Sequence, residues 1–187
     1  SSEKFIDSSI TEWIEDSNEV LNKVTSAPQI LIGSSMGGWI AIKIGLLNPK
    51  KTKGIITIAA APDFTKRLWK NDLNKNQKSE ITKNGYTIIP SEYEDEGYII
   101  THKNIIAGNK NLILNSKKLK LSCPMRLIHG DKDKAVNWRE SLRIFDKINS
   151  LNAELIIIKN GDHRLSNKNQ LDKIVLTSQS LFNEVSK

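Results

Sequence analysis

Apolar positions recur along this chain in two rhythms, and their alternation predicts the architecture. From Ser9 the spacing is helical, with Ile10, Trp13, Ile14, Leu21 and Val24 on one side, and Ser9 and Glu12 stand at capping-box distance. Ala27-Pro28 breaks that helix, and Gln29 to Gly33 reads as a short buried strand. Met36 to Leu47 is apolar nearly all round, as a helix buried against a sheet should be, and Asn48-Pro49 stops it. Gly54 to Ala61 predicts a second buried strand, Met125 to His129 a third and Leu155 to Ile158 a fourth. A helix marked by Trp138, Leu142, Phe145 and Ile148 separates the third and fourth, and an amphipathic helix with Leu171, Ile174, Val175, Leu181, Phe182 and Val185 closes the chain. Strands alternating with helices imply an α/β fold, a parallel sheet of about four strands with helices on both faces.

Residues 63–119 break this rhythm. They are rich in Lys and Asn, carry Phe64, Leu68, Trp69, Tyr86, Tyr93 and Tyr98, and show only short helical or extended pieces. A long structureless loop is improbable in a compact domain, so this span predicts an inserted cap or lid, leaving 1–62 and 120–187 as the core.

Composition narrows the function classes. A chain of 187 residues can bury a real core without disulfides or metal. Its net charge of +7 is carried by scattered lysines rather than a basic stripe with interleaved aromatics, so no nucleic-acid partner is expected. No apolar run approaches membrane-span length, and the polar N-terminus lacks a signal-peptide pattern. Cys123, the lone cysteine, predicts a buried structural thiol and a cytoplasmic or other reducing setting. No metal or organic cofactor is called for.

The chemistry centres on Gly33-Ser34-Ser35-Met36-Gly37, which joins a predicted strand to a predicted helix. A sharp turn there lifts one hydroxyl above the strand end, with glycines on either side removing Cβ atoms that would clash, so Ser35 is the candidate nucleophile. A serine hydroxyl needs a base to take its proton and a carboxylate to orient that base. His163, in the loop beyond the last strand, is the preferred base over His102, in the cap, and His129, at a strand end where core or turn roles are usual. Asp131, Asp133 and Asp162 are the candidate acids. In a parallel sheet all C-terminal strand ends lie on one edge, where ligands bind. The chain order Ser, Asp, His is that of α/β-hydrolase sites.

Three segments, Gly33 to Trp39, His129 to Trp138 and Gly161 to Arg164, together resemble the α/β-hydrolase superfamily, and within it the ABHD10-like group of serine esterases and palmitoyl-protein thioesterases. The resemblance runs over essentially the whole chain and is weakest in the cap. It implies Ser35 as nucleophile, Asp133 as acid and His163 as base. Asn137 stands where the group usually has proline, a change expected to alter only the start of the following helix. The resemblance also implies an N-terminal block of strands, absent here, with a His-Gly loop donating to the oxyanion; the backbone N–H of Met36 would supply one donor, the other having no visible source. The fold expected is thus a truncated α/β-hydrolase.

These readings point to a serine hydrolase of carboxylic esters or thioesters, acting on a small-molecule or acylated-protein substrate through an acyl-enzyme, with cap residues against the acyl chain. The alternative is a non-catalytic or weakly active fragment that needs a separate N-terminal piece and acts alone as an interaction module. The four strands are expected in chain order, with Gln29 to Gly33 at an edge that a second copy of the chain, a complementing N-terminal polypeptide or rearranged local segments would cover.

Overall fold

The computed structural model describes residues 8–90 and 97–186. In chain order the elements are α1 (Ile10–Val24), β1 (Gln29–Ser34), α2 (Met36–Leu47), β2 (Thr52–Ile58), α3 (Phe64–Arg67), a π turn (Leu68–Asp72), α4 (Lys75–Asn84), β3 (Tyr86–Ile89), β4 (Tyr98–Thr101), α5 (His102–Lys110), β5 (Met125–Gly130), α6 (Arg139–Phe145), β6 (Ala153–Ile158) and α7 (Lys168–Val185). They form two compact units. One takes the chain up to Asp16 together with Asp63–Leu112, the other Ser17–Pro62 with Ile113–Lys187.

The larger unit holds a four-stranded parallel sheet in the order β1-β2-β5-β6, chain order with β1 at an edge. Alternation along the strands divides the sheet into two apolar faces, because successive side chains point to opposite sides. Ile30, Ile56, Ile58, Ile128, Ile156 and Ile158 pack with Ile174, Leu181 and Val185 of α7. On the opposite face α2 lies so close that a Cβ at Gly45 would stand 2.5 Å from Ile55 Cδ1. Trp39, Ile42 and Ile44 of α2 are buried, which explains why that helix has no polar stripe.

Several strand boundaries differ from the sequence reading by one to three residues. The run Gly54 to Ala61 leaves the sheet at Ile58, because Ala59 turns to a positive φ of 47°. The fourth strand starts two residues early, at Ala153, where its register with Met125 begins.

The capping box expected at Ser9 is present in part: Glu12 accepts hydrogen bonds from both the Ser9 backbone N–H and its hydroxyl. A full box, unremarked in the sequence, opens α7, where the Asn167 side chain accepts from Gln170 N and the Gln170 side chain from Asn167 N. At the other end α7 is tied to β5. Arg126, whose side chain is 5% exposed, donates to Glu184 Oε2 at 2.6 Å, and Asn152 donates to the other Glu184 oxygen.

In the smaller unit, α4 opens on a capping box between Asn74 and Gln77 and ends at Gly85, whose φ of 85° a side chain would resist. The antiparallel pair β3–β4 follows. Leu68, Leu73, Ile81, Ile100 and Ile105 form a core of their own, with Phe64, Trp69 and Ile89 against it. Of the aromatics assigned to the cap, Tyr86 and Tyr98 are exposed, and Tyr93 lies outside the described residues.

Along the free side of β1 runs an apolar groove of about 550 Å³, lined by Ile30, Ile32 and Ile56 from the sheet and by Ser178, Gln179, Phe182 and Asn183 from α7. Among the described residues, β1 pairs only with β2.

Glu184→Ala removes the main partner of a buried guanidinium, and equilibrium urea unfolding is expected to show a loss of about 1–3 kcal/mol. Glu154 stands 3.5 Å from the same Arg126 but is 60% exposed. Solvent screens that pair, so Glu154→Ala should cost under about 0.5 kcal/mol.

Candidate active site

Ser35 sits in the turn between β1 and α2, and backbone hydrogen bonds hold it there. Its N–H donates to Ile58 O at 2.8 Å, while its carbonyl accepts from Gly38 N and Ala61 N, both at 3.0 Å. Ser35 is thereby kept at φ 52°, ψ −119°, a conformation that strains a residue bearing a Cβ by on the order of 1–3 kcal/mol.

The glycines around it divide unevenly. A Cβ at Gly33 would lie 2.1 Å from Gly37 O, so Gly33 is required by the close approach of strand and helix. At Gly37 nothing stands within 4 Å, contrary to the symmetric role read from the sequence. The second close approach belongs to Gly38, where a Cβ would meet Ala60 Cβ at 2.7 Å. Ala60 and Ala61, which read as the end of a strand, instead form the floor of the serine turn.

Two other loops meet Ser35 from neighbouring strand ends. A Cβ at Gly130 would stand 2.2 Å from Gly161 O, so the ends of β5 and β6 touch backbone to backbone. Asp131 N–H donates to Ile158 O and Lys132 N–H to Gly161 O. Beyond Gly161 the chain is pinned by Leu165, fully buried at φ 47°, whose N–H donates to Asp162 Oδ1 at 2.9 Å.

These constraints bring the three residues singled out in the sequence into one hydrogen-bonded chain. His163 Nε2 lies 3.1 Å from Ser35 Oγ, and His163 Nδ1 lies 2.7 Å from Asp133 Oδ2. With a carboxylate facing Nδ1, the ring carries its proton there and leaves Nε2 to accept from the serine hydroxyl. The Asp133 side chain is fully buried and that of His163 is 15% exposed. Asp133 Oδ1 accepts from Ala135 N at 2.9 Å and Val136 N at 2.8 Å. Burial alone would raise the Asp133 pKa, but hydrogen bonds from His129, His163 and Val136 N outweigh it and hold the carboxyl well below the usual carboxylate range.

The competing candidates stand elsewhere. His102 is exposed at the start of α5, in the smaller unit. Asp131 accepts from Lys159 Nζ and Asn160 N, and so staples the turn after β5 to the end of β6. Asp162 stabilises its own loop through the Leu165 bond. His129 is fully buried and, as a core residue would be, fully engaged, yet one of its partners is Asp133 Oδ2 at 3.0 Å.

Met36 opens α2, so its N–H is among the first-turn amides that have no acceptor within the helix. Asn137 precedes α6, and its side chain accepts from Arg139 N at 3.0 Å. Cys123 is half-buried rather than buried, and desolvation pushes its thiol pKa up. Among the described residues no cluster of His, Cys, Asp or Glu stands ready to hold a metal ion.

A family model described as "Serine aminopeptidase, S33" matches residues 4–91. The mouse protein named "Palmitoyl-protein thioesterase ABHD10, mitochondrial" is 33% identical over 177 residues, which are 95% of this chain and 59% of that protein. The chain thus spans less than two thirds of this curated relative. The solved structure of mouse α/β hydrolase domain-containing protein 10 superposes with a TM-score of 0.87 at 32% identity, covering 97% of this chain and 72% of that one. A protein from Agrobacterium vitis S4 gives a TM-score of 0.89 at 30% identity, covering 95% and 70%. The mitochondrial designation of the mouse relative overturns the cytoplasmic placement drawn from the lone thiol. One half-buried cysteine cannot distinguish among reducing compartments.

The glycine geometry separates two substitutions that look alike in sequence. Gly33→Ala should disrupt the serine turn and lower the melting temperature steeply, because backbone must move to admit the methyl. Gly37→Ala should be tolerated, and should stabilise the start of α2 by up to about 1 kcal/mol in thermal or urea unfolding, since alanine is the better helix former.

Proposed function

The chain belongs to the α/β-hydrolase superfamily, and on that premise we propose that it is a serine hydrolase of carboxylic esters or thioesters working through an acyl-enzyme. The observation that carries this reading is the unbroken hydrogen-bonded chain from Ser35 Oγ through His163 to Asp133 Oδ2. A hydroxyl, an imidazole and a buried carboxylate in that order are what transfer of a serine proton requires.

Ser35 Oγ attacks the acyl carbonyl carbon as its proton passes to His163 Nε2, and the carbonyl π electrons move onto oxygen. Asp133 stabilises the imidazolium without taking its proton. Met36 N–H, at the positive end of α2, donates to the oxyanion. Collapse of the tetrahedral species expels an alkoxide or thiolate, which takes the proton from His163, and the acyl group remains on Ser35. Water, deprotonated by the same imidazole, then releases the carboxylic acid and restores the serine. The name of the mouse relative favours acylated proteins as substrates, with the acyl group held by a thioester.

An acyl phosphonate probe tests the assignment. It should label Ser35, and Ser35→Ala should abolish labelling while far-ultraviolet circular dichroism remains unchanged. Label on Ser34, or undiminished labelling of the variant, would sink it. A folded wild-type chain that takes no label would favour the interaction-module reading. For turnover of an activated ester, Asp133→Asn should lower kcat by about 10⁴-fold, because the imidazole loses its orienting acceptor. Since Asp133 stays ionised well below the usual carboxylate range, acidification should reduce kcat/KM with a one-proton slope, that of the base alone.

A further inference from the structure

Behind the Ser35–His163–Asp133 chain lies a second imidazole that the proposed reaction does not use. His129, at the end of β5, is fully buried, as is Ser141 of α6. The His129 Nε2 stands 3.0 Å from Asp133 Oδ2 and 3.0 Å from Val136 O, and its Nδ1 stands 2.7 Å from Ser141 Oγ. We infer that His129 is a positioning residue, whose Nε2–H holds Asp133 Oδ2 where it meets His163 Nδ1.

The tautomer follows from what surrounds the ring. A carboxylate oxygen and a carbonyl oxygen both face Nε2, and neither can donate, so Nε2 carries the proton. In the neutral ring Nδ1 then offers a lone pair, and the Ser141 hydroxyl rotates to donate to it. Ser141 therefore fixes the direction in which His129 points, and α6 fixes Ser141.

The carboxylate explains why this matters. An ionised aspartate has about four lone-pair sites. Two on Oδ1 are taken by the amides of Ala135 and Val136, which belong to the loop that carries Asp133 itself. Oδ2 receives one bond from His163, on a separate and partly exposed loop, and one from His129, in the wall of the sheet. Of these two, only His129 ties the oxygen to a rigid element. A histidine serving the core alone would need polar partners of any kind; this one shares the very oxygen that His163 uses. Replacing it by an apolar residue would leave both that lone pair and Val136 O facing hydrocarbon, and the carboxylate would be free to turn away.

The kinetic consequence rests on the serine-hydrolase reading, whereas the tautomers do not, and the experiment uses both. The chain has three histidines, so ¹⁵N-histidine labelling gives a readily assigned spectrum. In the wild type, His129 should appear protonated at Nε2 and His163 at Nδ1; the opposite tautomer at His129 overturns the inference, whether or not the protein turns over any ester. With an activated ester, His129→Leu should lower kcat by about tenfold to a hundredfold, the rate equivalent of one hydrogen bond to a charged acceptor, with KM unchanged. The His163 Nδ1–H signal should then exchange away with solvent. His129→Gln, which returns an N–H donor near the Nε2 position, should recover most of both. Ser141→Ala, a loss of one hydroxyl that leaves the fold intact, should lower kcat in the same direction by less, and decides the matter if His129→Leu does not fold. Wild-type kcat and an unchanged His163 signal in His129→Leu, or equal damage from Leu and Gln in folded proteins, would reduce His129 to packing.

Discussion

A residue with a side chain held in a backbone conformation that side chains avoid is the constraint on which the rest of this fold turns. Ser35 at φ 52° has no local reason to stay there. Its surroundings over-determine it: Ile58 O, Gly38 N and Ala61 N all bond to its backbone, and Gly33 and Gly38 let β1, α2 and the chain after β2 approach within the volume of a methyl group. The buried faces of β2 and α2 are therefore not scaffolding apart from the site. Their packing is what keeps the serine turn bent, and the turn in turn favours a small residue at Ala60, whose Cβ faces Gly38.

The electrostatics follow the same logic of saturation. The Asp133 side chain is buried without exposed surface, a placement that would be costly for an unpaired carboxylate. Two amides and two imidazoles supply the compensation. The result is an acid whose charge is stabilised from every side and whose orientation has little freedom. By contrast Asp131, two residues earlier, meets an exposed lysine and a backbone amide, and its low pKa has only a local meaning.

Much of this was legible from residue order. The period of the apolar runs disclosed four parallel strands and their chain order, and the glycine-serine spacing disclosed the turn, because both depend on local chemistry that a one-dimensional pattern carries. What escaped depended on distance. Nothing in the run of alanines after Ile58 tells a strand end from the floor of a turn, since the distinction lies in Ala60 meeting Gly38 from another element. Gly37 looked equivalent to Gly33 in sequence, yet only the packed chain reveals which of the two faces a neighbour. His129 read as a core histidine because burial was evident from its strand, while the identity of its partner was not. The cytoplasmic expectation failed for a different reason: address is not a property of the folded core.

The hydrogen bond between Ser35 and His163 spans 128 positions of sequence, and that of His163 with Asp133 spans 30 of the same positions. No segment of the chain holds any part of the site in working order by itself. During synthesis, a nascent polypeptide that has already exposed Ser35 carries that hydroxyl without its imidazole partner, since His163 has yet to leave the ribosome and the strands that bring the two together have yet to pair. The contact between the two side chains thus forms only after both strand ends have been made, and a chain that stops short of His163 lacks it altogether.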